Sequence, residues 1–282
     1  MAPLITLFVP GNRSDFISKA AQYNPDAVII DLEDSVPYPI KERTREEVAA
    51  IVPGLEVDAL VRVNSEPNLL EGDLRAVVSR SIRGVMLPMV EAVEQVQLAD
   101  RLIGKLESEN GLQPGSIKLL LILESARAVL RCYELATAAA RVESVVFGSA
   151  EGGDLQRDLR CGWSIEGIEL LYARSKVLLE ARAAKLPYVL DGAFSRIKDL
   201  DLLRADCLLS KRIGYDGRTL IHPHHVAIAR EVYRPTESEI EESRRLIVAF
   251  EKAEAEGLAA ISFEGKLVDY AMYKRAKALV DG

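Results

Sequence analysis

Along the chain, short apolar runs alternate with longer stretches in which apolar residues recur at helical spacing. The short runs are residues 4–9, 27–33, 59–64, 84–88, 118–124, 144–148, 187–191 and 219–222, and each reads as a strand. The stretches between them, 14–21, 40–51, 69–80, 92–109, 126–140, 164–184, 199–213 and 226–233, read as helices. Ser14 is the expected N-cap of the first, and Gly214 stops the seventh. The run Lys118–Leu123 is apolar throughout after its lysine and ends in Glu124, as expected of a parallel strand covered on both faces. Eight strand–helix units of about thirty residues favour a (β/α)8 TIM barrel over an open sheet.

The tail breaks the alternation. Pro235 introduces a charged helix to residue 256, and residues 257–269 lead into a last short helix. A ninth unit has no place in an eight-unit barrel. The expected division is therefore a catalytic barrel over 1–234 and a C-terminal lid or subunit-exchange arm over 235–282.

Composition adds limits. The chain has 282 residues, 49% hydrophobic and 28% charged, enough for a sizeable core. Net charge is −7 without a block of like charges, which disfavours a nucleic-acid surface. The start lacks the basic and apolar regions of a signal peptide, and no apolar run approaches a membrane span. Cys132, Cys161 and Cys207 are widely spaced, as expected of reduced thiols. A cytoplasmic protein with no membrane partner is expected.

In a barrel all strand C-termini open at one mouth. Here they carry residues 10–13, Asp31, Glu33, Asp34, Arg62, Asn64, Glu124, residues 151–158, Asp191 and His222. So many carboxylates would raise one another's pKa values unless a divalent cation intervened. Oxygen ligands alone suit magnesium or manganese, with Glu124 and Asp154 on neighbouring units the natural pair. Each residue also has a plainer reading. Glu124 or Asp154 would serve as a helix cap, Arg62 would pair with Asp31 or Glu33, and His222 would be a structural strand-end histidine. Not all of Asp31, Glu33 and Asp34 can face a ligand. His224 and His225 lack the partners of a zinc set. No lysine stands at a C-terminal strand end to form a Schiff base.

An ordered set of motifs spans nearly the whole chain, from Leu7 to Ala276. It comprises Leu7 to Arg13 with Lys19, Asp26 to Asp34, Val61 to Asn64, Leu87-Pro88, Leu123-Glu124 and Gly148 to Leu155. It continues with Gly214 to Gly217, Ile221 to Pro223 and Gly265 to Asp269. This set resembles the citrate lyase beta-subunit-like branch of the HpcH/HpaI aldolase superfamily, beside malyl-CoA lyase and citramalyl-CoA lyase. The resemblance implies a barrel, a magnesium cofactor, and cleavage or formation of a carbon–carbon bond next to a thioester. It implies Glu124 and Asp154 as metal ligands and Arg62 as substrate-binding arginine. Phe8, Arg13 and Lys19 would line an acyl-CoA pocket, with Gly153 and His222 as further substrate contacts. Asp269 would be a lid acid acting at a neighbouring subunit, in a trimer or dimer of trimers.

The sequence departs from the family pattern in three places. Glu151-Gly-Gly-Asp154 replaces Glu-Asp, so either Asp154 or Glu151 is the second ligand, Asp154 being favoured. Met89 stands where lysine is common, and His225 where glutamine is common. The expected activity is a magnesium-dependent lyase acting on a citramalyl, malyl or citryl thioester of CoA or an acyl carrier. The alternatives are a thioesterase of the same fold and a non-catalytic ligand-binding barrel.

Overall fold

The computed structural model describes Ala2 and residues 4–281. Eight parallel strands close a barrel in sequence order. They are β1 Ile5–Pro10, β2 Ala27–Asp31, β3 Asp58–Arg62, β4 Gly84–Leu87, β5 Lys118–Leu123, β6 Val142–Phe147, β7 Leu190–Asp191 and β8 Gly217–Leu220. The chain divides into two compact units, Met1–Arg230 and Glu231–Gly282.

Side chains alternate across each strand, so every second residue points into the barrel. Ala27, Ile29, Leu60, Met86, Leu120, Ile122, Val146, Tyr188 and Leu190 form that interior core. The same alternation carried one step further puts Asp31 after Ile29, Arg62 after Leu60 and Glu124 after Ile122. The register places Pro10 beside Asp31 and Asp31 beside Arg62. An apolar interior thus ends in a charged top layer.

Several local expectations change. Ser14 is the first residue of helix Ser14–Ile17; the cap is Arg13, with no side-chain capping bond. Helix 126–140 breaks at Arg131 into Ala126–Leu130 and Cys132–Ala136. The second piece begins afresh because Glu180 accepts the Tyr133 N–H at 2.9 Å. Strand β7 keeps two residues, because the Asp216 side chain takes the Val189 N–H at 2.7 Å. A short helix, Asp154–Leu159, precedes the long Ile168–Ala183 helix. His222 lies beyond β8 in the turn that leads into helix His225–Tyr233.

In the second unit, Thr236 and Glu239 form a reciprocal capping box at the start of helix Glu237–Ala255. The following segment is a hairpin, β9 Ala260–Phe263 against β10 Lys266–Asp269, and not a plain connector. Its two-residue turn, Glu264-Gly265, has φ of 47° and 77°, the handedness that tight hairpins require. Helix Tyr270–Asp281 follows, and Phe250 stacks on Tyr273 with ring centroids 4.8 Å apart. No helix among the described residues is long and apolar enough to cross a membrane. Cys132, Cys161 and Cys207 are unpaired thiols, the first and last buried.

Candidate active site

A cavity of about 440 Å³ opens at the C-terminal ends of the strands. Phe8, Asp31, Asp34, Arg62, Glu124 and Ser149 are among its lining residues. Position and lining follow from the barrel, whose interior ends in the charged layer of Asp31, Arg62 and Glu124.

Arg62 is the electrostatic centre. Its Nε and Nη2 each donate to Asp31 at 2.7 Å, a bidentate pair. Nη1 lies 2.8 Å from Glu33 without hydrogen-bond geometry, and donates to Asp34 at 3.4 Å. A guanidinium has five N–H groups. Three of them donate to Asp31 and Asp34. Burial works to raise the Asp31 carboxyl, but the Arg62 pair leaves it below the usual carboxylate range. Glu33 lacks such a pair; burial, with Asp34, Glu124 and Asp31 nearby, pushes it up to about 8 against the pull of Arg62. Phe8 packs 5.1 Å from the guanidinium carbon. The plain reading of Arg62, pairing with Asp31 and Glu33, is therefore correct, and the side chain lines the cavity as well.

Glu124 accepts the backbone N–H of Met89 at 2.7 Å. Met89 adopts a left-handed φ of 52° to present it. Gln95 braces this loop, accepting the Glu91 and Ala92 N–H groups at 2.8 and 2.9 Å and donating to the Met89 carbonyl at 3.3 Å. Burial raises the Glu124 carboxyl to about 7, the charges of Asp154 and Asp34 adding to it. Gly148 is required beside it: a Cβ there would lie 2.8 Å from the Glu124 Cβ.

Asp154 begins helix Asp154–Leu159, with Gly153 as the cap residue and Arg157 as its ion-pair partner. Glu151 is instead taken by Arg196, at 2.8 and 3.0 Å, which ties the longer strand-6 loop to the loop after β7. Asp158, on the same short helix, accepts the Ala126 N–H at 2.7 Å, two residues beyond Glu124. Glu124 lines the cavity and Asp154 does not, but the charge of Asp154 acts on Glu124. This donor set fits a divalent cation that keeps waters and substrate as its other ligands. Among the described residues no group of three or more His, Cys, Asp or Glu is arranged as a full protein cage.

A second cavity of about 510 Å³ shares Phe8, Val9, Pro10 and Ile221 with the first. Lys19, Phe16, Tyr23, His222 and His224 complete much of its wall. The structure thus brings Phe8, Arg62 and Glu124 to one cavity, and Phe8, Lys19 and His222 to the next. Arg13 lines neither; it donates to Asp15 at 3.1 Å through two nitrogens and lies over the Phe16 ring. Gly153 is a helix-cap position and lines neither. Asp269 belongs to the second unit, where its Oδ1 accepts the Ala271 and Met272 N–H groups and caps the final helix.

Two strand-end candidates are structural. Asn64 is buried, donating to Leu32 O at 3.0 Å and Asp73 at 2.6 Å and accepting from Lys41 at 2.6 Å. Asp191 is fully buried, bonded to Ser149 Oγ at 2.8 Å and the Gly192 N–H at 2.9 Å, and 3.4 Å from Arg174. Lys41 escaped the sequence reading. Its ammonium, reaching in from helix Lys41–Ile51, also binds the Leu32 and Glu33 carbonyls at 3.0 and 2.5 Å and so shapes the loop after β2.

Known proteins are similar to this chain over nearly its whole length. Residues 4–223 match the family described as HpcH/HpaI aldolase/citrate lyase. Citrate lyase subunit beta of Haemophilus influenzae is 34% identical over 281 residues, covering 98% of this chain and 94% of that protein. A (3S)-malyl-CoA thioesterase of Cereibacter sphaeroides is 32% identical, covering 93% and 88%. The crystal structure of CitE from Mycobacterium tuberculosis, in complex with magnesium, acetoacetate and coenzyme A, superposes with a TM-score of 0.78. Identity there is 26%, with 99% of this chain and 97% of that one covered. A parallel barrel ending in a layer of Asp31, Arg62 and Glu124, matched over nearly its full length by such relatives, belongs to the HpcH/HpaI aldolase/citrate lyase family.

Proposed function

We propose that the protein is a magnesium-dependent carbon–carbon lyase acting on a 3-hydroxy-3-carboxyacyl thioester. The observation that carries this reading is the meeting of Glu124 and Arg62 in one cavity that adjoins a second, partly basic one. The relatives, named for citrate lyase and malyl-CoA hydrolysis, and the magnesium and coenzyme A in a structural neighbour support it.

In the reaction the hydroxyl proton leaves and the C2–C3 bond breaks. The oxygen becomes the keto group of a 2-oxo acid. The bond pair passes to the thioester as an enolate, which takes a proton at carbon to give an acetyl thioester. A magnesium ion held by Glu124 and Asp154 would supply Lewis acidity at the reacting oxygen. Arg62, locked in place by Asp31, would direct its remaining N–H groups at the developing negative charge. Asp269 would act as general acid and base at the acetyl carbon, delivered by the C-terminal segment acting as lid or exchange arm. Closure would keep water from the enolate. Phe8, Lys19 and His222 would hold the carrier arm in the second cavity. Arg13 would join them at a phosphate after leaving Asp15, and Gly153 would contribute by setting the start of the Asp154 helix. The assembly we propose is a homo-oligomer, a trimer or dimer of trimers, in the cytoplasm.

Thioester hydrolysis is the second reading, favoured by the malyl-CoA thioesterase relative. An assay with magnesium and malyl-CoA or citramalyl-CoA separates the two. Keto acid without free thiol is expected; free thiol without keto acid would establish the thioesterase instead.

A further inference from the structure

Resting on the metal pair proposed above, we infer that Gln95 is a positioning residue for Glu124, acting through the left-handed backbone of Met89. Glu124 follows the last residue of β5, and rotation about its side-chain bonds would swing its carboxylate across the mouth. Its Oε1 accepts the Met89 N–H at 2.7 Å. A backbone donor to a carboxylate makes a short, strong bond. It fixes which oxygen faces the loop after β4 and leaves Oε2 for a cation. Met89 is an unexpected residue to supply that donor. Its φ of 52° lies where glycine and asparagine are at ease and methionine is not. Its side chain is exposed, so the conformation is imposed from elsewhere.

Gln95 supplies the hold. It stands in the first turn of helix Val93–Glu109. Its Oε1 accepts the Glu91 and Ala92 N–H groups at 2.8 and 2.9 Å, and its Nε2 donates to the Met89 carbonyl at 3.3 Å. One side-chain amide thus engages three of the residues 89–92, and the fourth, Val90, is buried. Arg131, at the break after helix Ala126–Leu130, donates to the Glu91 carbonyl at 3.1 Å. The loop is therefore tied to its own helix by Gln95 and to the next strand–helix unit by Arg131. Without the Gln95 amide, Met89 relaxes towards a negative φ and its N–H turns from Glu124. Gln95 lines neither cavity, so its effect on a bound cation passes through this loop.

The test titrates manganese into the full chain as wild type, Gln95→Ala, Met89→Val and the double variant Gln95→Ala with Met89→Gly. Urea unfolding in a chelator is measured on each. Affinity is expected to fall about tenfold in Gln95→Ala. A similar fall is expected in Met89→Val, where a β-branched residue resists the positive φ although Gln95 is intact. Met89→Gly admits that φ without steric cost and is expected to restore most of the affinity to Gln95→Ala. A brace that is structural alone would lower the urea midpoint, leave manganese affinity unchanged and give no such rescue. Wild-type affinity in Gln95→Ala or in Met89→Val would overturn the inference while the metal pair stands. So would a loss in Gln95→Ala that Met89→Gly does not reduce. No manganese bound by folded wild type would overturn the metal pair and this inference with it.

Discussion

Asp158 accepts the backbone N–H of Ala126 at 2.7 Å, and this bond joins the helix that starts at Asp154 to helix Ala126–Leu130, which follows Glu124. The two carboxylates proposed to share a metal stand on neighbouring strand–helix units, whose strands pair up to Leu123 beside Phe147; the Asp158 bond adds a link beyond the sheet. Asp158→Ala removes the bond; Asp158→Asn keeps an acceptor. Manganese affinity is expected to fall about 3- to 10-fold in the alanine variant, with most of it restored in the asparagine variant. Equal affinity in wild type and Asp158→Ala would show that the loops are spaced by other contacts.

Gly148 controls Glu124 by close approach. An added Cβ would meet the Glu124 Cβ at 2.8 Å and the Leu123 carbonyl at 3.0 Å, both backbone-anchored neighbours. Gly148→Ala is expected to cost about 1–3 kcal/mol in stability and about tenfold or more in metal affinity. Chemical denaturation and manganese titration read the two effects separately.

Arg62 is held in a planar, two-bond geometry with Asp31 that an ammonium cannot reproduce. Arg62→Lys is expected to lower kcat by about 100-fold or more, with a smaller loss of stability than Arg62→Ala. Steady-state kinetics beside thermal unfolding of both variants gives the comparison.

Glu33 makes stability depend on pH. Burial raises its carboxyl to about 8, from the ordinary 4.5. The folded protein therefore binds a proton that the unfolded chain has already released between those values. Its contribution is present below the unfolded value and is lost as pH rises towards 8. Urea unfolding in a chelator at pH 5.5 and 8 is expected to show wild type losing more stability over that interval than Glu33→Gln. A parallel pH dependence in both proteins would contradict the assignment.

Much of this site was legible because the barrel turns a period-two pattern into a position. Ile29 then Asp31, Leu60 then Arg62, and Ile122 then Glu124 each continue an inward-facing face by two residues. What escaped depends on backbone conformation or on distant contacts. Nothing in a methionine announces the left-handed φ by which Met89 offers its N–H to Glu124. Lys41 reads as a surface residue of a charged helix, yet its ammonium is buried among the Leu32 and Glu33 carbonyls and Asn64. Asn64 and Asp191 stand at strand ends as expected, but neighbouring carboxylates and guanidinium groups hold them below the mouth. The Glu264-Gly265 hairpin turn escaped as well, residues 257–269 having read only as a lead into the last helix.

Metal binding by single variants bears most directly on the site. Manganese is titrated into wild type, Glu124→Ala, Asp154→Ala and Glu151→Ala, each first shown to be folded. One ion per barrel is expected in wild type and in Glu151→Ala, with binding abolished or weakened about 100-fold in the other two. Full binding by Glu124→Ala, or loss in Glu151→Ala with retention in Asp154→Ala, would contradict the proposed ligand pair.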